Sequence, residues 1–129
     1  MNRKLIFLDI DGTLTPAGSN VPPESALTAI RVAQAAGHKV FLCTGRNPDM
    51  LAPVLKYGFE GAVACAGGYI FADDKVLFDC PMPEKDRDTA LGLMKENGVF
   101  RTIEAVDATL ETRTLEIFWH RPGKETVSW

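Results

Sequence analysis

The 129-residue chain has little of what would mark it for export, for a structural metal or for a nucleic-acid partner. Its three cysteines, Cys43, Cys65 and Cys80, form no CxxC pair and leave one thiol over, so neither a disulfide framework nor a zinc ribbon is encoded. The basic start Arg3-Lys4 is followed by only Leu5-Ile6-Phe7-Leu8 before Asp9 and Asp11 interrupt. A secretory leader needs an apolar run of about 7–15 residues, so no export is implied and a reducing cytoplasm is the expected location. Lysine and arginine are scattered and the formal net charge is −3, which supplies no electrostatic footprint for a phosphate backbone or an anionic membrane. Internal repeats and low-complexity tracts are absent too.

What is present is ordinary globular composition, 46% hydrophobic and 24% charged, at a length that suits one domain with at most an appended piece. Leu5 to Leu8 is a continuous apolar run ended by acidic residues and Gly12, the pattern of a buried strand leaving a parallel sheet. A loop rich in Thr, Pro, Gly, Ser and Asn follows, then a helix over 24–36 stopped by Gly37. Val40 to Leu42 reads as a second strand, 49–57 as a second helix stopped by Gly58, and Ala62 to Ala64 as a third strand. This strand–helix alternation predicts an α/β fold, a doubly wound Rossmann-like parallel sheet. The pattern then changes to a β-hairpin, Tyr69 to Phe71 and Val76 to Phe78 about a turn at Ala72-Asp73-Asp74, followed by a helix near 84–97. Two β-like runs, 99–103 and 115–119, flank a polar middle. The domain reading is a core over 1–80 and a further α/β segment over 81–129.

In open α/β sheets ligands bind beyond the carboxyl ends of the strands. The residues there are Asp9-Ile10-Asp11-Gly12-Thr13, Thr44-Gly45-Arg46 and Cys65-Ala66-Gly67-Gly68. Gly12 lets the chain curl so that both carboxylates can converge on one space. Convergent carboxylates repel unless a cation or shared proton relieves them, and magnesium suits an oxygen site built from one or two carboxylates, phosphate and water. A carboxylate so placed can attack phosphorus while a neighbouring acid protonates the leaving oxygen. Thr44 and the N–H groups of its Gly45 turn offer donors for phosphoryl oxygens.

Asp9-Ile10-Asp11-Gly12-Thr13 after one strand and Leu42-Cys43-Thr44-Gly45-Arg46 after the next resemble the first and second motifs of haloacid-dehalogenase-like (HAD) phosphatases. Within that superfamily they look most like the Cof-type branch, which hydrolyses sugar phosphates and other small phosphometabolites. The resemblance is close over residues 4–80, and the rest loosely resembles the start of that branch's α/β cap. It implies a HAD-like sheet and a magnesium cofactor. Asp9 would be the nucleophile and a metal ligand, and Asp11 the general acid/base whose carbonyl also meets the metal. It further implies Gly12, Thr44 and Gly45 as phosphate-binding, with Arg46 and Gly68 at the substrate rim.

The departures carry expectations too. Ala66-Gly67-Gly68 stands where the branch usually has an Asn-Gly pair. The family's third motif, a lysine, and its fourth, a second acidic loop, are not found before Trp129, so the chain is expected to be an N-terminal portion with an incomplete site. The first strand would then be an exposed apolar edge, and a second copy of the chain is expected to cover it. A catalytically incompetent folded fragment or interaction protein, and a phosphomutase, stay open as alternatives. An EF-hand fails because Gly12 comes two positions early and position 20 is Asn. A receiver domain fails because Cys65 stands where the phosphoacceptor Asp would be.

Overall fold

Apolar runs bounded by polar turns set the strands of the N-terminal unit, Met1–Cys80, and a proline-led helix opens the second, Pro81–Trp129. The computed structural model describes residues 2–99 and the strands Arg101–Ala105, Ala108–Thr112, Phe118–Trp119 and Val127–Ser128. No helix among the described residues is long and apolar enough to cross a membrane.

The first unit runs β1 (Leu5–Leu8), α1 (Glu24–Ala35), β2 (Lys39–Cys43), a 3-10 turn (Asp49–Leu51) leading into α2 (Ala52–Leu55), and β3 (Gly61–Ala64). A second 3-10 turn (Cys65–Gly67), β4 (Tyr69–Ala72) and β5 (Lys75–Asp79) complete it. The sheet order is β1-β2-β3-β4-β5, parallel across β1, β2 and β3 and antiparallel across β3, β4 and β5. An α/β sheet with parallel strands and a trailing hairpin is thus the observed fold. The hairpin turns on Asp73 and Asp74, both in the left-handed region (φ 47° and 61°), the geometry of a two-residue connection matched to strand twist.

The second helix is shorter than the pattern over 49–57 predicts. Pro53 has no N–H to donate to residue 49, so the segment starts as a 3-10 turn, and its last bonds, Tyr57 N–H to Val54 O and Gly58 N–H to Leu55 O, are again of the tighter kind.

Both strand–helix–strand connections step the same way across the sheet, and right-handed crossovers then place α1 and α2 on one face. Burial agrees with this. Val40, Leu42, Ala62 and Ala64 are buried against Ile30 of α1 and Leu51 and Val54 of the second helical segment. Each such Val, Leu or Ile contributes roughly 1.5–3 kcal/mol by leaving water. Alternate residues point the other way, where this unit has no described helix. There Leu5 is 59% exposed and Phe7 51%, Phe7 stacking on Phe41 at 5.4 Å. Cys43 shares that parity and is exposed, and Cys65 is half-buried. β1 forms the edge of the sheet.

In the second unit α3 (Glu84–Glu96) follows Pro83 and stops at Gly98 (φ 61°), with Val99 N–H closing on Met94 O. β6 (Arg101–Ala105) pairs antiparallel with β7 (Ala108–Thr112), and β8 (Phe118–Trp119) with β9 (Val127–Ser128). β7 lies in the expected polar middle. Residues 115–117 of the other expected run lie outside the described residues.

Candidate active site at the ends of β1 and β2

In-register pairing of Leu8 with Leu42 brings the chain past β1 and the chain past β2 to one rim. Beyond Leu8, Ile10 is fully buried while Asp9 and Asp11 on either side are exposed. The chain turns here, Thr13 N–H closing on Ile10 O at 3.2 Å and Leu14 N–H on Asp9 O at 3.1 Å, and both carboxylates stay exposed at the rim while Ile10 is buried between them. Gly12 (φ 81°) turns the chain back: Gly12 N–H donates to Thr15 O at 2.8 Å and Thr15 N–H to Ile10 O at 2.9 Å. Thr13 Oγ1 donates to Asp9 Oδ2 at 2.8 Å and orients the carboxylate. The buried hydroxyl of Thr15 reaches Ser19 O at 3.0 Å and fixes the far end of the loop.

Thr44 is buried, its N–H spent on Val63 O at 2.9 Å. Its hydroxyl oxygen accepts Arg46 N–H at 3.1 Å, which leaves the hydroxyl proton to donate. Gly45 beside it is exposed, with open space where a Cβ would stand. The third rim loop is tied to the second by Cys65 N–H to Arg46 O (2.9 Å) and Ala66 N–H to Thr44 O (3.1 Å). Cys65 and Ala66 both take positive φ (51° and 52°), strain of about 1–3 kcal/mol each for residues with a Cβ, of the kind concentrated at functional sites. Gly68 closes this turn, its N–H on Cys65 O and its carbonyl accepting Cys80 N–H, so its backbone groups serve the turn.

Arg46 folds back from the rim. Nε and Nη2 donate to Asp11 Oδ2 and Oδ1 at 2.9 and 2.6 Å, and Nη1 to Asn20 Oδ1 at 2.6 Å. The Arg46 hydrogen bond is the main reason the Asp11 carboxyl sits below its ordinary value; burial opposes it, and Gly18 N–H and the Arg46 charge add to it. The same pair holds the guanidinium proton more tightly than usual. An open recess of about 390 Å³ lies here, lined by Asp11, Gly18, Asn20, Arg46, Met50 and Pro53.

Sequence reasoning missed Asn20, Thr15 and Asn47. Asn47 is fully buried and its Oδ1 accepts Met50 N–H at 3.0 Å, starting the turn at Asp49. An Asn just before Pro48 at a helix start was a readable capping signal. Nothing in the local sequence marks Asn20.

Among the described residues no group of three or more His, Cys, Asp or Glu could hold a metal ion. The Asp9 carboxylate and the Asp11 carbonyl are nevertheless hard oxygen donors at the rim, and the exposed Asp9 side chain fits a magnesium ion that draws its remaining ligands from phosphate and water.

The rim therefore defines an α/β core whose polar groups converge beyond two parallel strands. The sequence profile of the haloacid dehalogenase-like hydrolases matches residues 6–124, and the chain belongs to that family. It is 35% identical over 85 residues to YkrA of Bacillus subtilis, a phosphatase by name, covering 65% of this chain and 33% of YkrA. A hypothetical protein from Geobacillus kaustophilus HTA426 superposes with a TM-score of 0.73 at 28% identity, over 84% of this chain and 42% of that one. The HAD subclass IIB sugar phosphatase BT4131 does so at 0.70 and 26%, over 84% and 43%. The chain thus spans between a third and a half of the length of these relatives.

Proposed function

We propose that the chain carries the nucleophile half of a magnesium-dependent phosphatase of small phosphorylated metabolites. One observation carries the reading: Asp9, exposed and oriented by Thr13, shares a rim with Thr44, whose buried hydroxyl keeps a proton to donate. An Asp9 oxygen attacks phosphorus, the bond to the leaving alcohol breaks, and water then hydrolyses the aspartyl-phosphate, restoring the carboxylate and releasing phosphate. Thr44 and the Gly45 turn donate to the phosphoryl oxygens. Asp9 and the Asp11 carbonyl would hold magnesium, which when bound neutralises charge on the phosphoryl group. Asp11 is the acid/base; since both its oxygens accept from Arg46, protonating it to act as acid breaks at least one of those bonds. The relatives' sugar-phosphatase and phosphatase names support a small phosphoester as substrate.

A second reading, a folded but catalytically incompetent chain, is favoured by the lack of a third metal-ligating side chain among the described residues. Losing a charge-stabilising group of this kind costs about 3 kcal/mol, a factor of 10²–10³ in rate, so turnover by this chain alone is expected to be slow. Incubation with p-nitrophenyl phosphate and magnesium, acid quenching and peptide mapping separate the two. A phosphoryl group on the Asp9 peptide, absent in Asp9→Asn, supports the phosphatase; none in either supports the incompetent chain.

We further propose that a second copy covers the β1 edge, where Leu5 and Phe7 leave apolar surface beside unpaired backbone groups. Light scattering across a dilution series tests it, and a monomer at every concentration would rule it out.

A further inference from the structure

Arg46 joins the loop after β1 to the loop after β2, and it is gripped on both edges. Nε and Nη2 meet the two Asp11 oxygens, Nη2 also reaches Ser19 O at 3.3 Å, and Nη1 is taken by the amide oxygen of Asn20 at 2.6 Å. A guanidinium bonded along one edge alone still rocks about its long side chain; a second acceptor on the opposite edge fixes its plane, and with it the carboxylate that matches that plane. Asn20 is itself set in place. Its neighbour Ser19 offers a carbonyl to the buried Thr15 hydroxyl and a side-chain oxygen to Val21 N–H at 3.1 Å. The Arg46 side chain is only 11% exposed, whereas Asp11 is 39% exposed, so the arginine is the fixed partner and the carboxylate is the group being held.

We propose that Asn20 is a positioning residue of this site: its amide oxygen, placed through Thr15 and Ser19, orients Arg46, which in turn holds the Asp11 carboxylate. The effect on catalysis rests on the phosphatase reading above; the placement does not. Asn20 touches neither phosphate nor metal in this scheme and acts through Arg46. It comes from the Thr-, Pro- and Gly-rich loop that composition marks as a mere connection.

The test is nitrogen-15 NMR of the whole chain, following rotation of the Arg46 guanidinium through its Nη–H signals, assigned by their loss in Arg46→Lys. In the wild type the Nη–H signals should be separate and slowly exchanging. Asn20→Ala should speed their exchange on the order of tenfold, the effect of removing one hydrogen bond to a charged group, with an unchanged thermal melt. Asn20→Asp, which keeps an acceptor, should restore slow exchange. Equal exchange in wild type and Asn20→Ala, or an unrestrained Arg46 in the wild type, would overturn the proposal. In kinetics, Asn20→Ala should lower kcat more than KM changes, and more for an alkyl phosphate, whose leaving oxygen needs a proton, than for p-nitrophenyl phosphate. An equal loss on both esters would count against positioning of Asp11. Phosphate release that survives Asp9→Asn would instead sink the phosphatase reading and leave the NMR result standing.

Discussion

Gly61 opens β3 in antiparallel register with Ala72, and a Cβ there would stand 2.8 Å from the Ala72 Cα and closer still to the Phe71 carbonyl oxygen. Both are backbone atoms of β4, so no rotamer change relieves the clash, and Gly61 also holds φ 155°, which side chains rarely adopt. Overpacking of this kind costs about 1–3 kcal/mol and the backbone strain about 1–3 more. Gly61→Ala should therefore lose about 2–6 kcal/mol out of the roughly 5–15 that a domain has. With a urea m-value of about 1–3 kcal/mol per molar, the midpoint should fall by at least about 0.7 M. The damage should extend to the rim, because β3 carries Ala64 into the strained Cys65-Ala66 turn whose N–H groups support Arg46 and Thr44. A urea titration followed by far-UV circular dichroism measures it, and a midpoint within about 0.3 M of wild type would refute the account of Gly61 as a close backbone approach.

Gly92 is the opposite case, inside α3 with open space around it, and Gly92→Ala should raise stability by about 0.5–1 kcal/mol, read as a higher melting temperature. Because Arg46 holds the Asp11 carboxyl below its ordinary value, the pair's stabilisation is complete above the usual carboxylate range and lost as pH falls through the depressed value. The wild-type unfolding free energy from urea titration should thus drop more steeply than that of Asp11→Asn below about pH 4, by under about 1 kcal/mol because Asp11 is 39% exposed. Phe7→Lys places a charge on the exposed edge strand and should abolish any self-association seen by light scattering while leaving the melt largely intact, since Phe7 is 51% exposed.

The strands and the first two rim loops were legible because each apolar run ends abruptly in residues with no business in a core: Asp9 after Leu8, Thr44 after Cys43. Helix shortening at Pro53 was visible in principle, since a proline inside a proposed helix removes a donor whatever the apolar spacing says. The exposure of Cys43 was not visible, because it depends on which sheet face receives the crossovers, a consequence of strand order rather than of any local run. Arg46 turning back to Asp11 across 35 positions, and Asn20 receiving it across 26, are contacts between loops, where side-chain direction is set by tertiary geometry and no periodicity reports it. The two rim carboxylates were thus readable from sequence, and the contact that ties Arg46 to Asp11 and Asn20 was not.

The central claim, that Asp9 is the nucleophile of a magnesium-dependent phosphatase site, is tested most directly by phosphate release from radiolabelled sugar phosphates over long incubations. Wild type and Asp9→Asn would be compared with magnesium and with chelator. Slow release that requires both magnesium and Asp9 is the predicted result; release that persists in Asp9→Asn, or no release above blank from the wild type, would contradict it.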